Sequence, residues 1–496
     1  MSGPQSFFVW APSMLGTFFF FALGAIVGSF LNVVVYRVPR GQGIVRPSSA
    51  CPACGTKLSW RENFPIFGWL RLGGKCRFCK SRISIEYPLV ETLVALLFGA
   101  LYALWYFDAG LVRSWGIDPT SIRPEWTSMG LGASWPMFIL TLWLIGSLVA
   151  MTLIDAKTFL IPLSIPWLAT GVALVVHPAF ALWVQTRPGH TPFHHFDWTI
   201  WTSHSWSATG VATGGVVGLI ISIVLLRFGA LRRSFADYDE WEKEATAEAA
   251  KRKAAAAESA SSESVSNENA LGPIFVRTFL LTGPAIALMV VGFGVGLPAG
   301  APLRGLIVGM ALGLIIGMFL RKLAPSDDTD EPIWVQYPHA RREMLLEILF
   351  LTPAIALGAL GFYLTKNSGG EPALWIKALT GSIIGLLAGG GIVWAVRILG
   401  SLAFGKEAMG LGDVHLMAAV GAALGWTDPV LAFFIAPFFG ITWTIAAMIL
   451  KKWRHDSGTA LPYGPHLAAA TIVVIVAKPW IAIGLSAIMA RDILLP

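Results

Sequence analysis

Charge is scarce in this chain. Only 13% of its 496 residues are Asp, Glu, Lys or Arg, roughly half the share of an ordinary soluble domain, which excludes a solvated shell around a single core. Cysteine is scarcer still: four residues, all between positions 51 and 79, so any disulfide or metal framework is confined to that stretch. No Gly-rich nucleotide-binding fingerprint is present, and nothing in the residues themselves points to a nucleotide-like cofactor. A small-residue cleavage site is also missing after the first apolar run, which leads into a basic flank instead, so no removable secretion signal is expected.

What fills the chain is hydrocarbon. Hydrophobic residues make up 55%, with 21 Trp and 30 Phe, and about twelve stretches reach the roughly 20 mostly apolar residues that a membrane helix needs. The expected fold is an all-α polytopic membrane protein of about 12 transmembrane helices with a small cytoplasmic zinc-binding loop domain. The net charge of +7 is unevenly placed and gives orientation, not a nucleic-acid partner.

The first helix is expected over about 14–36. Its residues Gly24, Gly28, Ser29 and Asn32 recur at helical spacing, which suits close packing and an interhelical hydrogen bond. Residues 37–87 carry ten Lys/Arg against two Glu, which places that loop in the cytoplasm by the positive-inside rule. Threading alternately from there gives helices near 88–107, 136–154, 160–182 and 207–227. A charged, Ala- and Ser-rich linker follows, helical in its Ala/Glu/Lys part and disordered in its Ser part. Two helices at 275–298 and 302–320 form a tight outside hairpin; further helices fall at 346–365 and 376–399, and two more end the chain. Three helices ending at Arg227, Arg321 and Arg397 share a texture, Gly-rich at one end and basic at the other. Small residues at membrane helix contacts explain this as well as a short internal duplication does.

This threading brings Asp155 and Asp413 to the cytoplasmic ends of their helices. An ionised carboxylate near hydrocarbon is costly, so each is a candidate functional residue. Two carboxylates that meet can share one proton and hydrolyse a peptide, one taking a proton from water while the other polarises the carbonyl. Gly410 and Gly412 beside Asp413 let the backbone bend and a substrate strand approach. Asp155 also fits an ordinary helix cap, and His415 a structural hydrogen bond. Cys51-x-x-Cys54 and Cys76-x-x-Cys79 have the spacing of a closed, structural four-thiolate zinc site. Two disulfides are the alternative, which a reducing cytoplasm disfavours.

The sequence resembles the type IV prepilin peptidases, membrane aspartic proteases of pilus assembly and type II secretion. The N-terminal likeness runs over about 22–100, through GSFLNVVVYRVPRG, both cysteine knuckles, Arg61 to Pro65 and Tyr87-Pro88-Leu89-Val90-Glu91. The C-terminal likeness takes in Leu153-Ile154-Asp155 with Ile161-Pro162, then Glu407 through Leu416, Gly421 to Trp426, and Pro462-Tyr463-Gly464-Pro465.

The resemblance implies that Asp155 and Asp413 are catalytic. It also implies cleavage of a basic leader after a glycine in prepilin or pseudopilin precursors, on the cytoplasmic side of a bacterial inner membrane. Members with this N-terminal region often also methylate the new N-terminus with S-adenosylmethionine. Three positions depart from the family pattern: Lys157 where an acid is common, Glu86 where an Arg precedes Tyr-Pro, and His415 where a Lys follows the second Asp.

The resulting division is 1–107 with the cysteine loop, 108–227 with Asp155, a linker at 228–275, an apparent insertion at 276–375 of unknown role, and 376–496 with Asp413. A transporter using paired carboxylates on an ion path, or a scaffold recruited through its zinc loop, are the readings from other classes.

Overall fold

The computed structural model describes residues 4–46, 48–114, 123–186, 200, 205–259, 337–451 and 463–489. Its helices are α1 (Pro4–Arg37), α2 (Phe67–Arg71), α3 (Glu86–Tyr106), α4 (Ala109–Ser114), α5 (Leu131–Thr158), α6 (Ser164–Gln185) and α7 (Trp206–Arg227). The chain continues through α8 (Tyr238–Ser259), α9 (Ala340–Thr365), α10 (Leu374–Phe404), α11 (Leu411–Leu424), α12 (Thr427–Lys451) and α13 (Gly464–Met489). There is no sheet among the described residues; strand pairing is limited to two isolated antiparallel bridges, Ala50 with Lys57 and Lys75 with Arg82.

Among the described residues, eight helices, α1, α3, α5, α6, α7, α9, α10 and α13, are long and apolar enough to cross a membrane. The sequence led to about twelve, and the difference has two sources. The helices expected at 275–298 and 302–320 lie outside the described residues. Leu411–Leu424 is apolar but shorter; at 1.5 Å per residue, 14 residues reach about 21 Å, short of a hydrocarbon core of about 30 Å, and of α12 (Thr427–Lys451, 25 residues) only Thr427–Trp443 has described side chains.

Lipid tails are as apolar as leucine, so helices in a bilayer associate through close packing and interhelical hydrogen bonds. The small residues noted in α1 do this work. A methyl group on Gly24 would stand 2.6 Å from the Val94 carbonyl oxygen, and one on Gly28 would stand 2.7 Å from Glu91 Cα. One turn further, Asn32 Nδ2 donates to the Tyr87 carbonyl at 3.1 Å. On α7, Gly210, Gly214 and Gly218 lie against the backbone of α9 at Gly361, Leu357 and Ala354. On α10, Gly385 lies directly against Gly421 of α11. The Gly-rich texture of the 209–227 and 380–397 helices is therefore spent on backbone contact.

Two compact units partition the chain. One comprises Met1–Ser234, Ala340–Trp480 and Leu495–Pro496, the other Phe235–His339 and Ile481–Leu494. Within the second, the Ala/Glu/Lys part of the expected linker forms α8, and its Ser-rich continuation lies outside the described residues. Phe235, Tyr238, Trp241 and Tyr337 cluster with ring centroids 5.2–6.3 Å apart, and Tyr337 donates to Asp237 Oδ1 at 2.7 Å. The two ends of that segment thus meet. The first unit contains α9, although the sequence had placed 346–365 inside an insertion at 276–375.

Candidate active site and cysteine cluster

α5 ends just where the sequence turns polar. Phe159 adopts a left-handed conformation (φ 54°), which costs a non-glycine residue about 1–2 kcal/mol, and its N–H closes the helix on the Asp155 carbonyl at 2.8 Å. Asp155 therefore sits in the last turn, buried, with Ile161 and Pro162 in the connection to α6. Asp413 occupies the first turn of α11, where the positive end of the helix dipole compensates a carboxylate. It too is buried. Gly410 is the extended residue that starts α11, and its carbonyl accepts the Asp413 N–H at 3.2 Å.

The two carboxylates converge on a third helix end. A Cβ added to Gly464, the first residue of α13, would lie 2.6 Å from Asp155 Oδ2 and 3.3 Å from Asp413 Oδ1. The two oxygens can be no further apart than the sum of those distances. The Gly464 N–H is also directed at the Asp155 carboxylate. Sequence reading singled out Pro462-Tyr463-Gly464-Pro465 as a boundary segment but gave Gly464 no part in the site; a glycine held between two prolines, next to the last helix, was the available signal. Gly464→Ala is expected to push Asp155 away from Asp413 with the fold retained, read as loss of their coupled titration against unchanged thermal unfolding.

The surroundings of α11 explain the other motif residues. A Cβ on Gly412 would come 3.0 Å from Ile161 Cβ, so this glycine lets the α5–α6 connection close over the site. Ser382 donates to the Ala422 carbonyl at 2.6 Å, and His177 Nε2 lies 3.1 Å from that of Ala423, tying α11 to α10 and α6. His415 is structural: its Nδ1 lies 2.8 Å from the Leu411 carbonyl, and its ring meets Trp167 edge-on at 5.7 Å.

The cysteine loop is built of two matching knuckles. In each, the first cysteine N–H bonds across the turn, Cys51 to the Thr56 carbonyl at 2.9 Å and Cys76 to that of Ser81 at 2.8 Å. Each turn passes through a left-handed residue, Gly55 (φ 69°) and Lys80 (φ 58°). All four cysteines are free, and their sulfurs lie within 4.8 Å of one another. Cys51 Sγ and Cys79 Sγ are 3.8 Å apart, which is about the edge of a tetrahedron of thiolates with 2.3 Å metal–sulfur bonds and far too long for a disulfide. The Cys54 and Ala53 backbone N–H groups stabilise the Cys51 thiolate and pull its pKa down to about 6, toward the form that binds metal. Cys51 and Cys76 are buried, and the cluster can hold a metal ion.

The same end of the helix bundle carries both features. Glu91 of α3 accepts the Ile66 N–H from the loop at 2.6 Å, which joins the Arg61–Pro65 and Tyr87–Glu91 motifs. Lys157, two residues beyond Asp155, pairs with Glu86 at the start of α3 at 2.6 Å. Two of the three departures noted above are therefore each other's partners, with opposite charges. Lys157→Glu is expected to place like charges together and lower thermal stability slightly, and Glu86→Lys in the same chain to restore it; unfolding curves of the two single variants and the double variant check this.

Comparison with known proteins agrees with this layout. Residues 22–105 match the bacterial peptidase A24 N-terminal domain, and residues 342–445 match the type IV leader peptidase family. The second match takes in α9 and overlaps the segment 276–375; Asp155 lies between the two matches. A prepilin leader peptidase/N-methyltransferase of Myxococcus xanthus is 42% identical over 158 residues, 32% of this chain and 39% of the relative. Proteins of the same description from Neisseria gonorrhoeae and Pseudomonas putida are 34% identical over 164 residues and 33% identical over 184. These cover 28% and 33% of this chain and 48% and 54% of the relatives, so the chain spans about half or less of the curated relatives it matches. No solved structure matches the chain.

Proposed function

The chain belongs to the type IV prepilin leader peptidase family, and from that premise we propose that it is an aspartic endopeptidase acting through Asp155 and Asp413. The observation that carries this is the meeting of two buried carboxylates at Gly464. Two such groups in a shared, poorly solvated site hold one proton between them and titrate as a pair. The ionised member takes a proton from water as that water attacks the scissile carbonyl. The protonated member donates its proton to the developing oxyanion; the member that took the water's proton then delivers it to the leaving amine, and the first member recovers its proton from the intermediate's hydroxyl as the carbonyl re-forms.

The substrate is a prepilin or pseudopilin precursor, cut after the glycine that ends its basic leader. The site lies where three helices end, at the face of the bundle that carries the cysteine loop. We place that face on the cytoplasmic side of a bacterial inner membrane, from the ten Lys/Arg of residues 37–87. A basic leader is then in water while the hydrophobic segment behind it stays in lipid. A transporter would hold its carboxylates near the bilayer midplane, whereas these are at helix ends.

Zn2+ fits the cysteine cluster, held by Cys51, Cys54, Cys76 and Cys79. With four protein ligands it supplies folding free energy to a loop that has no core of its own. S-adenosylmethionine is a different case. A cavity of about 350 Å³ between α1 and the loop is lined by Ser29, Phe30, Arg37, Ser49 and Asn63 among others. No residue is assigned to the methyl donor, and N-methylation rests on the relatives' description alone.

The test is purified protein in detergent with a peptide comprising a basic leader, a glycine and the start of a hydrophobic helix. Mass spectrometry of the products is expected to show a single cut after the glycine. An intact peptide, or a cut elsewhere, contradicts the reading.

A further inference from the structure

The loop that delivers Asp413 is held by a buried ion cluster one turn above it. α10 continues through Phe404, past the end at about 399 that the sequence led to, because its polar residues there are satisfied internally. Arg397 is 1% exposed and Glu347 of α9 is 3% exposed. Arg397 Nε lies 3.1 Å from both Glu347 carboxylate oxygens and Nη2 lies 3.0 Å from Oε1, while Trp394 Nε1 donates to Glu347 Oε2 at 2.7 Å. The remaining edge of the guanidinium, Nη1, reaches the Glu407 carboxylate and the Met409 carbonyl. Met409 immediately precedes Gly410-Leu411-Gly412-Asp413. Beside it, the Ala408 N–H donates to Ser401 Oγ at 2.9 Å, and Gly405 (φ 70°) turns the chain out of α10.

We propose that Glu347 and Arg397 are positioning residues of the peptidase, and that α9 serves the catalytic loop by orienting the guanidinium that grips it. The planar fork is what makes this work: one edge is spent on Glu347, which aims the other edge at two points of the 405–410 loop. A lysine could neutralise the charge but could not hold both sides. The cost of burying the cluster is large, and a buried ion pair is seldom a gain in stability over apolar side chains of similar size. Its geometric effect is specific: it fixes the backbone at Met409, four residues before Asp413, and a displacement of about 1 Å in a reacting group can cost 100-fold in rate. Glu347 acts through the loop, and Arg397 does so while its charge also reaches Asp413, so Arg397→Lys, which keeps the charge, isolates the positioning effect.

This inference rests on the peptidase reading, and the experiment separates the two. The full chain in detergent is compared as wild type, Asp413→Ala, Arg397→Lys and the double variant Glu347→Gln/Arg397→Met, with steady-state cleavage of the leader peptide and thermal unfolding measured for each. The double variant removes both fully buried charges and leaves the partly exposed Glu407 without its guanidinium partner, so it is expected to unfold below wild type by an amount that the unfolding curve reads directly. Its kcat is expected to fall about 10- to 100-fold with KM within about twofold, as for an interaction felt only in the transition state. Arg397→Lys is expected to keep the fold and lose kcat in the same way. Wild-type kcat in either folded variant overturns the proposal. If the double variant does not fold, Arg397→Lys decides by the same criterion. A fall in kcat that matches the loss of folded protein in both, with the rate per folded molecule unchanged, also overturns it in favour of a purely structural role. A wild-type chain that does not cleave, or an Asp413→Ala chain that does, contradicts the peptidase reading instead.

Discussion

Asp155→Asn and Asp413→Asn, each alone, are expected to reduce cleavage of a leader peptide by at least about 1,000-fold, because general acid–base transfer contributes roughly 10²–10⁴ and neither amide can take up or release the shared proton. The two sites are closely coupled, so the double variant is expected to be no worse than either single one. Asparagine keeps the shape of aspartate and places no charge at a buried site, and both positions are buried. Thermal unfolding should therefore hold steady or rise, while the rate collapses. That opposition is diagnostic. A helix cap at Asp155 would give the reverse pattern, with a loss of stability of roughly 1 kcal/mol and little change in rate. Initial rates by mass spectrometry, alongside unfolding curves in the same detergent, settle the choice, and wild-type cleavage by either variant would falsify the dyad.

Cys76→Ser should produce the second large change, in the loop rather than in the chemistry. Cys76 is 2% exposed and its knuckle has no hydrophobic core behind it. A metal held by the four sulfurs would link this knuckle to the one around Cys51, and structural zinc in small domains contributes about 10–16 kcal/mol of binding free energy that is also folding free energy. Removing a buried thiolate is expected to lower zinc from about one per chain to near zero. It should also open residues 40–84 to limited proteolysis, with the helices on either side left protected. Chelation of the wild-type protein should give the same cuts. Zinc content unchanged by Cys76→Ser, measured by elemental analysis, would remove the metal from the account; zinc lost without new cleavage would remove its structural role.

Much of this molecule is written in local pattern. Long apolar runs placed α3, α5, α6 and α7 to within a few residues, since hydrophobic length is a property of the stretch itself. The paired knuckles could be read as a four-thiolate site because each half is set by a four-residue turn. Small residues at Gly24 and Gly28 announced a packed face. Pattern failed where helix and loop depend on partners. The end of α10 was placed about five residues early, because a buried arginine reads as a boundary until Glu347 is seen opposite it. α11 reads as a span in composition and is too short to be one.

What the sequence by itself determined is a multi-helix membrane protein with a metal-competent cysteine loop and two costly aspartates, since each follows from composition and spacing within one segment. Only the tertiary structure decided that Asp155 and Asp413, separated by most of the peptidase region, face the same glycine at the start of α13. It also decided that α9, which looked like added sequence, supplies the partner of Arg397. The physical reason is the same in both cases: these contacts join residues whose separation along the chain carries no periodic signal, and they exist only once the glycine faces have set how closely the helices approach.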